Sequence, residues 1–558
     1  MIFKSLLLAA VAVLTQLPVH SQTASSSEIP VTIEVNFASA IGSFRPIHRF
    51  FGCDEPNYAY MPHGQRLLLE LGKTSPTAPV YFRTHNLFTT GDGTAALKWG
   101  STNVYTEDAT GNPIYDFTIL DKIMDSYRLA GVKPYFQLGF MPQALSVKPE
   151  PYRHHWDPAK KYEEIYTGWA YPPKDYQKWS DLCFEVTRHL VERYGREEVE
   201  SWYFQTWNEP NIGYWKGTFE EFLKLHDFAI AGVKRALPTA RVGGPDTAGP
   251  GGEFMKTFLN HCLTGTNYAT GKVGTPIDFV SFHAKGMPNH DHGHVQMGIG
   301  RQLRNIRDGF AAIAADPRAK HLPIVIGESD PEGCAACQGP DLRYRNSTMY
   351  SSYTAASFAR KIELADRFGV NFDGALTWAF LFEDQPLFAG FRVLASNDID
   401  HAVLNVFRFY SKLAGQRVLV TSTSAASVDS MINSGVRNEP DVSALATISA
   451  SQAAVILWHY HDDDTAGPDA NVTLKLAGLP NTARNLRIRE HRIDQERGNA
   501  YPLWLSMGSP QSPSPEQLRQ LRNAATNTLS RDDLRLTPDK HLTINVPRQT
   551  VILLELAW

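Results

Sequence analysis

The sequence predicts an α/β protein in which a (β/α)8 TIM barrel is followed by an antiparallel β-sandwich. Eight strand-like segments alternate with helical segments between residues 45 and 415, which is the count for such a barrel. From residue 418 to 558, short alternating runs are separated by Gly, Pro and Asp turns, a pattern typical of a sandwich. A further strand-like segment within residues 28–40 is a candidate partner for the sandwich.

Residues 1–21 have the features of a secretory signal peptide. Lys4 supplies the positive start, an apolar run follows, and small residues precede Gln22. We therefore expect a secreted or periplasmic protein. The formal net charge of −4 indicates neither a nucleic-acid partner nor a membrane surface. The sequence leaves the oligomeric state open.

The eight barrel strands are each bounded by turn or helix signals. Each strand precedes a helical segment, and the helix near residue 219 begins with a Thr218–Glu221 capping box. The strands are predicted at 48–53, 80–85, 132–139, 202–207, 241–244, 278–283, 323–328 and 375–379. The helices are predicted at 63–71, 117–130, 176–194, after 218, and at 254–262, 303–314, 350–368 and 402–413.

The sandwich strands are shorter and alternate between apolar and polar residues. They are predicted at 444–449, 455–460, 472–476, 486–490 and 550–556, with a loop over 509–527 that runs into a helix-like piece.

Polar and aromatic residues stand where the barrel strands end. In this fold the carboxyl ends of the strands build the active site. The candidates collected by this rule are Arg83, His85, Gln137, Asn208, Glu209, His283, Glu328 and Trp378.

Glu209 follows the buried strand at 202–207 and lies in the turn sequence Asn208-Glu209-Pro210-Asn211. A lone carboxylate in an apolar wall has a raised pKa, because burial disfavours its charged form. We therefore expect Glu209 to be a proton donor at neutral pH.

Glu209 and Glu328 follow strands four and seven, so the barrel is expected to bring them face to face. A pair of carboxylates about 5–5.5 Å apart is what retaining glycoside hydrolysis requires. Glu328 would attack the anomeric carbon, and Glu209 would protonate the leaving oxygen and later deprotonate water. Asn208 could bond a sugar 2-hydroxyl, and Trp378 offers an apolar ring face.

Five short motifs at strand ends resemble glycoside hydrolase family 39 of clan A. They are RTHN at 83–86, GFMP at 139–142, WNEP at 207–210, SFH at 281–283 and IGE at 326–328. This family contains β-xylosidases and α-L-iduronidases. The resemblance implies a barrel, retention, Glu209 as acid/base, Glu328 as nucleophile and no cofactor or metal. It also implies that His85, Asn208, His283, Trp378 and Glu383 line the sugar site.

Lys285 departs from the xylosidase pattern of the family, which tends to have Tyr at this position. Iduronidases resemble this chain here, and their Lys meets the substrate carboxylate. Two interpretations stay open. In the first, Lys285 and a second cation, Arg392, bind the carboxylate of a uronic acid. In the second, Lys285 pairs with Glu383 or Asp384.

Other signals are weaker. Cys334 and Cys337 favour a local disulfide at the site rim over a redox or zinc motif. The three histidines of residues 290–294 favour a solvated loop over a metal site.

The motifs and the two carboxylates together predict a β-xylosidase-like enzyme that releases a terminal sugar from plant-type oligosaccharides. A uronidase or an arabinose-releasing enzyme is the alternative, and a non-catalytic sugar-binding protein is the rival from another class.

Overall fold

A computed structural model describes residues 28–53, 55–95, 100–151, 168–378, 380–483, 486–537, 539 and 541–558. The predicted signal peptide lies outside the described residues. No helix among the described residues is long and apolar enough to cross a membrane.

Eight parallel strands form the barrel and confirm the predicted fold. Backbone bonds between the first and eighth strands, from Gly52 N–H to Thr377 O (2.9 Å) and from Ala375 N–H to Ile47 O (2.9 Å), bring the two ends of the sheet together. Barrel strands one to eight are Phe50–Cys53, Tyr81–Thr84, Lys133–Leu138, Tyr203–Thr206, Arg241–Thr247, Phe279–His283, Ile324–Glu328 and Phe372–Ala375. The eighth strand begins and ends earlier than its apolar run predicted.

Helices cover the outside of the barrel, as the 3.6-residue periodicity predicted. The Thr218 hydroxyl accepts the N–H of Glu221, and the Glu221 carboxylate accepts the N–H of Thr218, so the predicted capping box is present. The helices are Pro62–Leu71, Thr118–Ala130, Tyr176–Tyr194, Arg196–Glu200, Phe219–Ala236, Gly252–Thr264, Ile299–Ala314, Thr348–Phe368 and Ala402–Tyr410.

Aromatic side chains fill the interior of the barrel near the start of the strands. The ring of Tyr203 lies 4.8 Å from those of Tyr81 and Phe279 and 5.3 Å from that of Tyr135. Edge-to-face and tilted contacts of this kind pack a dry layer. This layer fills the lower part of the barrel, and the predicted polar site residues lie at the carboxyl ends of its strands.

Nine further strands form one sheet that includes the N-terminal segment, and six short strands pair as three two-stranded sheets. Strand Ile29–Ser43 pairs antiparallel with Gln416–Ser422 and parallel with Ala470–Ala477, which confirms the predicted pairing and adds one parallel pair to the sheet. Three of these strands, Gln416–Ser422, Leu529–Leu534 and His541–Val546, were not predicted. In spatial order the nine are Leu529–Leu534, Arg487–Ile493, Thr550–Ala557, Gln452–Tyr460, Asp441–Ile448, Gln416–Ser422, Ile29–Ser43, Ala470–Ala477 and His541–Val546.

The sheet domain packs against the barrel in several places. Arg360 of helix Thr348–Phe368 pairs with Asp441 at 2.7 Å, next to strand Gln452–Tyr460. Two further helices, Tyr501–Ser506 and Pro515–Thr526, lie against the loop after strand eight, where Trp504 contacts Phe388 at 5.1 Å. The accessory domain thus supports a loop of the barrel mouth.

Candidate active site

Glu209 and Glu328 lie together at the mouth of the barrel. Glu328 ends strand seven, and Glu209 follows strand four on the opposite side. One carboxylate oxygen of each lies within 4.8 Å of the other. Both side chains are buried, with Glu209 7% and Glu328 3% exposed. The topology therefore brings together two acids that are 119 residues apart in the sequence.

Glu328 is surrounded by cationic groups. Its Oε1 accepts a hydrogen bond from Arg83 Nη1 at 3.1 Å, and its Oε2 contacts the Lys285 ammonium and lies 3.7 Å from His283 Nδ1. Burial alone would raise the pKa of Glu328, but the charges of His283, Lys285 and Arg83 hold it well below its usual range. Glu328 is therefore a carboxylate at neutral pH, the form that a nucleophile needs.

Glu209 is not a lone acid in an apolar wall, and the predicted rise in its pKa is wrong. Its Oε1 lies 2.8 Å from His283 Nδ1 and 3.5 Å from Lys285 Nζ. Burial raises the pKa of Glu209, but Lys285 and His283 together outweigh burial and lower it.

Asp246 completes the group and was missed by the sequence analysis. It lies on strand five, is fully buried, and its Oδ2 lies 2.7 Å from Arg83 Nη2. Its Oδ1 lies 3.4 Å from His283 Nε2. Strand five was predicted to end at Gly244, so the selection of polar residues at strand ends did not reach Asp246. A strand extended through Pro245 would have identified this acid.

Neither predicted partner of Lys285 is correct. Lys285 contacts Glu328 and Glu209 rather than Glu383 or Asp384. Arg392 is not a second cation in the mouth, because it is fully buried against Asp330 (2.8 Å) and Glu332 (2.7 Å).

The other predicted residues lie around this group in different roles. Asn208 Oδ1 accepts a bond from Arg83 Nη2 at 2.8 Å, so Arg83 joins Asn208 to Glu328. The ring of Trp378 lies 4.6 Å from that of His85, edge to face, and 5.1 Å from the Arg83 guanidinium. Glu383 accepts the backbone N–H groups of His63 (3.1 Å) and Gly64 (3.0 Å), so its carboxylate caps helix Pro62–Leu71.

Gln137 holds the backbone of the mouth. Its side-chain oxygen accepts the N–H of Asn86 at 2.7 Å, and its nitrogen donates to Trp207 O at 2.8 Å. Gln137 is fully buried, so it links strand ends rather than facing the opening.

Several residues at the mouth adopt left-handed backbone conformations. Trp207, Glu209 and Asp246 have φ of 67°, 44° and 55°. Such angles are strained for residues with a side chain and cluster at functional sites. Here they turn Glu209 and Asp246 towards His283.

Glu209, His283 and Glu328 are close enough to hold a metal ion, since one ligand atom from each lies within 4.8 Å of the others. Their chemistry does not suit a metal. The Lys285 ammonium contacts both carboxylates. Although burial opposes its charge, Glu328 and Asp246 raise the pKa of His283 to about 9, and a protonated imidazole has no lone pair to give. The group therefore favours acid–base chemistry.

A disulfide joins Cys334 to Cys337, as predicted, in the loop that follows strand seven. The carbonyls of these two cysteines accept bonds from Arg345 at 2.8 and 2.9 Å. Arg345 in turn pairs with Glu332 at 2.8 Å. The disulfide loop is thus tied to the charges behind the site wall.

Comparison with known proteins identifies the family. The model of glycosyl hydrolases family 39 matches residues 96–531, most of the chain. The chain belongs to this family. It is therefore a glycosyl hydrolase with a carbohydrate substrate, and the resemblance seen in the five motifs is confirmed. Relatives include a β-xylosidase from Geobacillus stearothermophilus, 26% identical over 471 residues, covering 80% of this chain and 82% of the relative.

The family's second activity is also represented among the relatives. The α-L-iduronidase of Homo sapiens is 25% identical over 534 residues, covering 89% of this chain and 74% of that protein. Among solved structures, a monomeric β-xylosidase from Caulobacter crescentus aligns with a TM-score of 0.73 at 20% identity, covering 94% of this chain and 99% of the other. At this identity the structural likeness shows the fold.

Proposed function

We propose that the chain is a retaining glycosidase, with Glu328 as nucleophile and Glu209 as general acid and base. The proposal depends on one observation, the approach of their oxygens to within 4.8 Å. Retaining enzymes place the two carboxyl groups about 5–5.5 Å apart, whereas inverting enzymes leave about 6.5–9.5 Å for a water.

In the first half of the cycle Glu328 bonds to the anomeric carbon while Glu209 protonates the departing oxygen. In the second half Glu209 takes a proton from water, which then breaks the ester. Arg83 fits this scheme, since it bonds both Glu328 and Asn208 and so fixes the nucleophile relative to a group that can meet the sugar.

The substrate we favour is a neutral terminal sugar, as in β-xylosidases, released from plant-type oligosaccharides. At the mouth three cations, Arg83, His283 and Lys285, face three carboxylates, Glu209, Asp246 and Glu328. These charges balance, so a neutral sugar leaves no buried charge unpaired. The signal-like N-terminus and the Cys334–Cys337 disulfide support secretion or export to the periplasm.

A uronidase is the second candidate, because Lys285 remains 18% exposed and faces the mouth. The Lys285→Met variant distinguishes a glycosidase that acts on a neutral sugar from a uronidase. If Lys285 serves only the two carboxylates, kcat/KM falls by the same factor on neutral and uronic aryl glycosides. A loss at least about tenfold greater on the uronide would favour the uronidase.

The stereochemistry of hydrolysis tests the main proposal. We expect NMR to show the product first in the anomeric form of the substrate, here an aryl β-xyloside. Glu209→Ala should release a burst of aryl alcohol and then turn over slowly, because the ester forms without acid help when the leaving group is good. An inverted product would overturn the proposal. A protein that binds the sugar but never releases the alcohol would be the non-catalytic rival.

A further inference from the structure

The proposed cycle needs a proton on Glu209, yet Glu209 lies among groups that favour its charged form. Lys285 and His283 lower its pKa. A general acid must nevertheless deliver a proton at the first step. A neighbouring group that holds this proton and returns it would meet that need.

His283 is placed to be that neighbour. Its ring spans two carboxylates, with Nδ1 2.8 Å from Glu209 Oε1 and Nε2 3.4 Å from Asp246 Oδ1. The ring is 1% exposed, so bulk water does not exchange freely with either nitrogen. Asp246 is itself fixed by Arg83 at 2.7 Å, which leaves its other oxygen directed to His283.

We propose that Asp246 is a positioning residue that keeps His283 protonated, and that His283 stores the proton that Glu209 delivers to the leaving oxygen. This inference rests on the proposed role of Glu209. The Nδ1–H bond of His283 breaks, leaving its electrons on nitrogen, and the proton moves to Glu209 Oε1. As the glycosidic bond breaks, its electron pair goes to the leaving oxygen, which takes this same proton from Glu209 and leaves Glu209 as a carboxylate. In the second half the proton removed from water returns through Glu209 to Nδ1.

The groups around His283 explain why it holds the proton at rest. Glu209 faces it from strand four, Asp246 from strand five and Glu328 from strand seven, while Lys285 and, beyond Asp246, Arg83 oppose its charge. Burial also opposes the charge, but Glu328 and Asp246 raise the pKa of His283 to about 9. Removing the charge of Asp246 should lower that pKa.

Asp246→Asn tests the inference through the pH profile of kcat/KM on aryl β-xylosides. The basic limb reports loss of the proton shared by His283 and Glu209, and we expect it to move to lower pH by at least about one pH unit. For a phenyl leaving group the loss should be at least about twofold at pH 8 and approach about tenfold at pH 10, and it should be small for 2,4-dinitrophenyl, which leaves without a proton. An unchanged basic limb with equal losses on both substrates would overturn the proposed proton relay from His283 through Glu209 to the leaving oxygen.

Asp227→Asn is the matched control. Asp227 is also a fully buried acid paired with a histidine, His261, at 2.9 Å, but on the outer helices of the barrel. The same substitution there is expected to lower thermal stability without moving the basic limb. A limb that moves equally in both variants would assign the shift to general loosening and overturn the role of Asp246.

His283→Asn gives an independent answer if Asp246→Asn does not fold. Asparagine keeps an N–H donor towards Glu209 but holds no titratable proton. The basic limb should then fall into the acid range, because Glu209 titrates alone. A limb that stays where the wild type has it would overturn the relay.

Failure of the relay and failure of the proposed function give different results. If Glu209→Ala keeps the full rate on the phenyl xyloside, Glu209 is not the acid and the proposed function fails. If Glu209→Ala loses that rate while Asp246→Asn and His283→Asn keep the wild-type limb, Glu209 is the acid and the relay alone fails.

Discussion

Two buried charge clusters lie side by side in this barrel and differ in what their members can do. The mouth cluster consists of Arg83, Glu209, Asp246, His283, Lys285 and Glu328. The wall cluster, behind the loop after strand seven, consists of Asp330, Glu332, Arg345 and Arg392. Both mix acids and bases at hydrogen-bond distance, yet of the two only the mouth cluster contains an imidazole and an ammonium.

The wall cluster is a scaffold. Its cations are both arginines, which do not deprotonate in proteins, and they also bond backbone carbonyls. Arg392 donates to Trp378 O, while Asp330 accepts the N–H of Trp378 at 3.1 Å. The comparison teaches that buried charge alone does not mark a reactive site. What distinguishes the mouth is a histidine between carboxylates and partial access to solvent.

The sharpest test of this contrast substitutes the same residue type in each cluster. Glu328→Gln should lower kcat by at least about 10⁴-fold, because an amide cannot form the glycosyl ester. Glu332→Gln, four residues further along, should keep kcat within about tenfold while lowering the melting temperature. Steady-state kinetics on an aryl β-xyloside and thermal melts measure both. A similar kcat for the two variants would remove the distinction.

Arg392→Met should break the wall cluster. It leaves Asp330 buried without a guanidinium and Glu332 with Arg345 alone, so the free energy of unfolding should fall by about 3–5 kcal/mol. Denaturant unfolding measures the loss. Arg367→Met is the control, since its pair with Asp429 is solvent-exposed and worth under about 1 kcal/mol. Equal stability of the two variants would mean that the wall cluster contributes nothing.

The mouth cluster should make stability depend on pH in the alkaline range. The pKa of His283 is raised to about 9 from 6.5, so its contribution is complete below pH 6.5 and disappears as pH rises through 9. The loss is on the order of 3 kcal/mol. Denaturant unfolding of the wild type and of His283→Asn between pH 6 and 10 isolates the contribution of His283 to the free energy of unfolding. Parallel curves for the two proteins would contradict it.

The smallest effect is expected for the Cys334–Cys337 disulfide loop, whose carbonyls bond Arg345 of the wall cluster. Replacing both Cys334 and Cys337 with Ala opens a short loop, which should cost about 2 kcal/mol of unfolding free energy. Activity should fall only modestly, since Arg345 still bonds both carbonyls. Reductant should then have no further effect on the double variant. Unchanged stability would mean that Arg345 alone orders the loop.

The sequence predicted the barrel and most of its strands because alternating apolar runs and helix signals are local properties. Thr218 and Glu221 predicted a capping box that is present. The eighth strand was placed too late, because Leu376 and Trp378 extend the apolar run of Phe372–Ala375 into the mouth. Strand Leu529–Leu534 was missed because it is a charged edge strand with little alternation.

The site was predicted in composition but not in its electrostatics. Strand ends identified Glu209, Glu328 and His283, because the fold fixes where strand ends meet. The pKa of Glu209 and the partners of Lys285 and Arg392 depend on side-chain distances across the barrel, which no linear pattern contains. Lys285 and Arg392 looked alike in sequence, yet one faces the mouth and the other is sealed in the wall.

The position of Ile29–Ser43 inside the nine-stranded sheet has a consequence for biosynthesis. This strand leaves the ribosome before its partner Gln416–Ser422, which follows roughly 370 residues later. At about 5–20 residues per second, the nascent chain carries an unpaired apolar strand for tens of seconds while the barrel assembles. The nine-stranded sheet can therefore close only after the barrel has been synthesised, and we expect the chain to depend on chaperones at strand Ile29–Ser43.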